Sequence, residues 1–292
     1  MRYFEHLHPV CILTYFVFVI GMTLACVHPA MAALSSFGAA LFLLRLKGWR
    51  GAAGWLRFAG ILFVLAAAAN PLISHRGMTM VGMLFGQWIT LEAICYGITS
   101  GLSLAAMILW FACYQEAMTS DKFLYLFGKV APASSLLITM SLQLITKLRL
   151  QLKQIQECQR MLDPEEKNLL DKLNTAIRHT SALLGWSVEN AVEQADSMKA
   201  RGYGIRRRTT FHLFRFDSRD AWFLSGVATL GGVCVIARIF GYGTMEFYPR
   251  MDAFMTGMGD LILYGLYAVL SCLPAILEGK EALRWRSYGL IP

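Results

Sequence analysis

The stretch Ala195-Asp196-Ser197-Met198-Lys199-Ala200-Arg201-Gly202-Tyr203-Gly204 closes a long amphipathic pattern in a chain that otherwise reads as membrane-embedded. Upstream of it, apolar residues recur at Leu169, Leu173, Ile177, Leu183/Leu184, Val188, Ala191/Val192, Ala195 and Met198. Spacing of three and four places these on one face of a helix. The start signal is Asp163-Pro164-Glu165-Glu166: an acid to cap the helix, proline at its first position and acids facing the positive end of its dipole. Gly202 and Gly204 end it as glycines end helices. The predicted helix runs for about eight turns, roughly 50 Å at 1.5 Å per residue.

A second amphipathic helix precedes it. The segment after Pro132 opens apolar, then from Lys147 shows Leu148, Leu152, Ile155, Cys158 and Leu162 at helical spacing. The expectation is a hairpin turning at Leu162-Asp163. Its two apolar faces should pack on each other and on the inner side of a membrane bundle. Arg160 and Arg201 then sit near the ends of the two helices.

The rest of the chain is apolar. Hydrophobic residues make up 56% of its 292 residues and charged residues only 16%, too little polar surface for a soluble domain of this size. About six runs approach the ~20 residues that cross a bilayer: 10–27, 29–44, 58–73, 92–114, 221–240 and 258–277. The fold class is therefore all-α and polytopic, with two long cytosolic helices. Three regions follow: membrane helices 1–4 in 1–114, a cytosolic or interfacial region in 115–220, and the last two spans with a tail in 221–292.

Charge fixes the orientation. The segment Gln115–Asp220 carries 16 of the 27 Lys and Arg residues, and Arg45, Lys47, Arg50 and Arg57 fall between the second and third runs. Basic loops stay inside, so both termini are expected in the cytoplasm. This bias accounts for the net charge of +8 through contact with a lipid bilayer; no nucleic-acid partner is needed. Arg206-Arg207-Arg208 reads as a membrane-surface anchor.

Several chemistries find no residues to carry them. The seven cysteines and six histidines show no ligand spacing, so neither a metal site nor a disulfide framework is expected. No phosphate loop of the form GxxxxGK[ST] occurs; Phe127-Gly128-Lys129-Val130 lacks both the upstream glycine and the hydroxyl residue. The chain is therefore expected to be no enzyme and to hold no cofactor. Gly97 and Gly101 form a GxxxG pair that allows close helix approach, for packing inside the bundle or for a second membrane protein. Glu92, Arg238 and Asp260 fall near outer helix ends and read as structural.

At Met198-Lys199-Ala200-Arg201-Gly202-Tyr203 the chain resembles the transmembrane T component of energy-coupling factor (ECF) transporters. These are plasma-membrane importers of vitamins and other micronutrients. Their long coupling helices end in short motifs centred on arginine. Ala200-Arg201-Gly202 matches one motif; Gln159-Arg160-Met161 keeps the arginine of the other but not its small neighbours. His8-Pro9, Asn70-Pro71 and the order of elements extend the likeness over most of the chain. The resemblance implies that Arg160, Ala200, Arg201 and Gly202 dock two cytosolic ABC ATPase subunits. It also implies that the bilayer helices hold a small substrate-binding S component. A self-sufficient secondary transporter would instead show repeated halves and charges at the midplane. A membrane enzyme would show a polar cluster at an interface.

Overall fold

The computed structural model of the chain describes residues 4, 7–74, 77–84, 87–162, 169–205, 214–247 and 257–287. The expected start at 163–166 and the arginines at 206–208 lie outside them. Eight helices are described: α1 Pro9–Ala25, α2 Pro29–Ile73, α3 Leu91–Ala117, α4 Ser120–Val130, α5 Pro132–Leu162, α6 Leu169–Ala200, α7 Ser218–Ile239 and α8 Met258–Ser287. One antiparallel hairpin, β1 Met80–Leu84 with β2 Gln87–Thr90, precedes α3. Four of the helices, α2, α3, α7 and α8, are long and apolar enough to cross a membrane, and α1 is a shorter apolar helix. The chain divides into two compact units, Met1–Phe123 with Phe214–Pro292, and Leu124–Leu213.

In the first unit, α1 and α2 begin in the same way. His8 and His28 stand at the caps, with Pro9 and Pro29 at the first helical positions. Each imidazole Nδ1 accepts from the second residue beyond it, Val10 N at 3.3 Å and Ala30 N at 3.2 Å. Proline at this position loses nothing, because its N–H would have been unpaired.

The stretch 45–57 differs from the expected loop. α2 is 45 residues long, and only Gly48 inside it leaves helical geometry, at φ 69° and ψ 173°. That break reverses the chain. Before it, Ser36, Ala39 and Lys47 meet Leu102, Cys113 and Glu116 of α3 in rising order. After it, Phe63, Ala67 and Asn70 meet Gly101, Gly97 and Ala93 in falling order. The halves 29–47 and 49–73, here α2a and α2b, therefore run oppositely along α3. The basic residues that mark a loop by charge are good helix formers. One glycine in the left-handed region is enough to turn the backbone.

Prolines inside helices free a carbonyl one turn back, and in α8 a neighbour takes it. Pro71 lies before the end of α2 rather than closing it; it frees Ala67 O, against which Gly97 packs. Pro274 in α8 frees Leu270 O, which accepts from the Tyr15 hydroxyl at 3.2 Å. In hydrocarbon such groups need internal partners.

The core of this unit is a polar knot inside an apolar bundle. Thr23 Oγ1 lies 2.8 Å from Ser35 Oγ and 2.7 Å from the Tyr267 hydroxyl, which donates to Ser35 Oγ at 2.9 Å. Trp110 Nε1 also donates to Ser35 Oγ at 2.9 Å. The four residues come from α1, α2, α8 and α3, and all are buried. Ser35→Ala leaves the buried Trp110 N–H without its acceptor. It should cost about 1–2 kcal/mol, read as a lower melting temperature in detergent. Adding Trp110→Phe should recover part of the loss. Unchanged melting of Ser35→Ala would remove the knot from the account of stability.

Candidate functional site

The second unit is dominated by α5 and α6. No described residue of α6 is fully buried. Its half-buried residues include Thr175, His179, Leu183, Trp186, Asn190 and Met198, and it contacts α5. The apolar stripe lies elsewhere: exposure runs from 57% at Val192 to 87% at Leu169, with Leu173, Ile177, Leu184 and Val188 between. On α6 this departs from the expectation that the apolar faces of the hairpin pack on each other, while Leu148, Leu152 and Ile155 of α5 are half-buried. At 100° per residue the stripe is turned about a third of a turn away from the half-buried row. The row facing inward is instead partly polar, and His179 Nε2 and Asn190 Nδ2 are shielded there with no hydrogen-bond partner among the described residues.

The end of α6 follows from backbone geometry. Tyr203 N donates to Met198 O at 3.0 Å, and Gly202 N donates to Lys199 O at 2.9 Å. Gly202 sits at φ 83°. This is the paired closure that a glycine beyond the helix end permits. The same pair of bonds closes α7, where Tyr242 N meets Ala237 O, Gly241 N meets Arg238 O and Gly241 has φ 90°. Capping alone thus accounts for glycine at 202. Ala200 is the last helical residue, and Arg201 projects from the end, exposed.

Arg160 is likewise exposed in the last turn of α5. Among the described residues neither arginine has an ion-pair partner, whereas Lys199 pairs with Asp196 at 3.6 Å and Lys153 with Glu157 at 3.7 Å. A cation near a helix C-terminus is favoured by the dipole. A free guanidinium there also offers a planar fork to a carboxylate.

Gly97 and Gly101 belong to the other unit, with both glycines covered by α2b. A β-carbon at Gly97 would stand 2.8 Å from Ala67 O, and one at Gly101 would stand 2.8 Å from Phe63 O. The three charges near helix ends hold backbone groups. Glu92 Oε1 accepts from Thr79 N at 3.2 Å, Arg238 Nε donates to Ala25 O at 3.0 Å, and Asp260 Oδ1 accepts from Gly243 N at 2.9 Å. Glu92 and Asp260 sit in the first turns of their helices and Arg238 in the last turn of its own, the signs the helix dipole prefers.

Sequence reading missed a second pair of carboxylates. Asp220 Oδ1 accepts from His8 N at 3.3 Å, and Glu278 Oε1 accepts from Phe4 N at 3.0 Å. They hold the chain before α1 so that Phe4, fully buried, packs edge-on to Tyr15, Phe16, Phe42 and Phe223. The capping box at Asp217 and Asp220 was visible as a pattern; its long-range partner was not. Among the described residues no group of His, Cys, Asp and Glu is placed to hold a metal ion. No protein-family model matches this chain, and no curated protein matches it.

Proposed function

We propose that this chain is the membrane scaffold, or T component, of an ECF-type importer of the plasma membrane. It would couple two cytosolic ABC ATPases to a small substrate-binding S component. The observation that carries this reading is the second unit. Two helices of 31 and 32 residues leave an apolar stripe and two unpaired arginines exposed. A surface of that size, apolar and charged at its ends, favours a macromolecular partner. ATP hydrolysis belongs to the partners, because this chain has no phosphate loop.

The scaffold crosses the bilayer six times: α1, α2a, α2b, α3, α7 and α8, with both termini inside. The reversal at Gly48 supports counting α2 as two crossings. Single cysteines at Ser74 and Gln156, in a background without native cysteines, test the topology. The first should react with an impermeant thiol reagent applied from outside, and the second only after permeabilisation. Labelling in the opposite order would invert the orientation.

Assembly tests the function. The tagged chain, purified from membranes of its native host, should bring down nucleotide-binding subunits and a small membrane protein, and should hydrolyse no ATP when purified alone. Uptake of a substrate by vesicles containing only this chain would sink the scaffold reading and favour a self-sufficient secondary transporter.

A further inference from the structure

The outer face of α2b joins a basic end to an apolar line. Arg50, Gly54 and Arg57 follow one another at helical spacing, and Ile61, Leu65 and Leu72 continue the same line. All are exposed, the three apolar residues at 60%, 61% and 54%. The opposite side of α2b is taken by α3 through Gly97 and Gly101.

The two arginines stand about 10 Å apart along the axis. Between them Gly54 carries no side chain, which leaves a notch between the two arginines, and a β-carbon there would meet nothing within 4 Å, so the notch is open. Neither arginine has an ion-pair partner among the described residues, in contrast to Lys47, which pairs with Glu116 at 2.9 Å. Trp49, 74% exposed, stands beside Arg50, the position tryptophan takes at a membrane–water boundary. From Ile61 to Leu72 the apolar part of the line is about 17 Å long. That is close to one leaflet of a hydrocarbon core about 30 Å thick.

We propose that this face is a docking stripe for an anionic phospholipid. Its phosphate sits in the Gly54 notch between Arg50 and Arg57, and an acyl chain lies along Ile61, Leu65 and Leu72. Charge selects the lipid: two unpaired guanidinium groups have no complement in a zwitterionic headgroup that matches their charge, and arginine binds phosphate oxygens in a planar fork. Length selects a lipid over a free anion, because the apolar part is useless to inorganic phosphate. The inference requires only that the first unit crosses a membrane, and it stands apart from the scaffold reading.

Native mass spectrometry of the full chain in detergent tests it, with dioleoyl phosphatidylglycerol and dioleoyl phosphatidylcholine added in turn. The wild type should retain the first and not the second. The double variant Arg50→Gln/Arg57→Gln should lose about thirty-fold in retention, since each basic side chain near an anionic surface contributes about five-fold. The pair Arg45→Gln/Arg219→Gln, also exposed, should retain the lipid like the wild type. Gly54→Leu keeps both charges but fills the notch, so it should also lose retention; it decides the matter if the double variant fails to fold. Equal retention of the two lipids by the wild type, or undiminished retention by Gly54→Leu, would overturn the proposal. Displacement of the bound lipid by glycerol phosphate at equal concentration would overturn the acyl-chain half of it.

Discussion

Leucine at position 97 should disrupt the first unit severely. The β-carbon would meet Ala67 O at 2.8 Å, a backbone atom that cannot swing aside as a side chain would. The rest of the leucine would force α2b away from α3. That separation would also break the bond from Asn70 Nδ2 to Ala93 O, 2.8 Å. It would expose the Ala67 carbonyl freed by Pro71. Overpacking alone costs about 1–3 kcal/mol, and the lost contacts add to it, so the expected total is about 3 kcal/mol or more. The control is Gly60→Leu on α2b, where the new side chain meets open space. Gly60→Leu should melt like the wild type in detergent, while Gly97→Leu should give little monodisperse protein. Equal behaviour of the two variants would show that the close approach of α2b and α3 is unimportant to stability.

Arg201→Ala should abolish co-purification of the ATPase subunits while leaving the membrane helices folded. The prediction rests on the scaffold reading and on the geometry at the end of α6. Truncating a buried charged anchor in an interface costs about 2–5 kcal/mol, enough to reduce binding by a factor of about thirty or more. A solvated arginine costs almost nothing. Arg160→Ala should act in the same direction and more weakly, because Gln159 and Met161 are bulkier than Ala200 and Gly202. Gly202 separates two roles. Asparagine tolerates the left-handed region, so Gly202→Asn should preserve the helix end. If glycine is there for capping, Gly202→Asn still docks; if it is there for close approach, docking is lost. Wild-type assembly by Arg201→Ala would reduce this end of α6 to a solvated cap.

The apolar helices were legible because a run without charge has few other uses at that length. Although the capping box at Asp217 was missed, the end of α6 was legible at Gly202, because caps are local chemistry. Two features were not. The reversal at Gly48 hides in a basic stretch that reads equally well as a loop, and nothing local distinguishes this glycine from Gly51 or Gly54. The hairpin at 80–90 is too short for a membrane run and too irregular for a clean alternation, so pairing between β1 and β2 decides it. At the candidate site, Arg160 and Arg201 stand where spacing put them. The exposure of the stripe on α6 was missed because periodicity shows that a face exists and not which neighbour receives it. Long-range partners such as Asp220 with His8 N leave no trace in either segment alone.

The polar bonds of α1 reach to α8, the last described helix. Tyr15 waits for Leu270, Thr23 for Tyr267, and the chain before the helix for Glu278, with separations of 255, 244 and 274 residues. During synthesis the ribosome emits the donors first and their acceptors last. Until α8 is made, the Tyr15 hydroxyl has neither of its backbone acceptors, whereas Thr23 already has Val19 O at 2.8 Å and Ser35 Oγ at 2.8 Å. A chain ending before Tyr267 would leave the Tyr15 hydroxyl without its acceptors in every copy made. A defect in α8 is therefore felt in α1, the first helix of the bundle to be made.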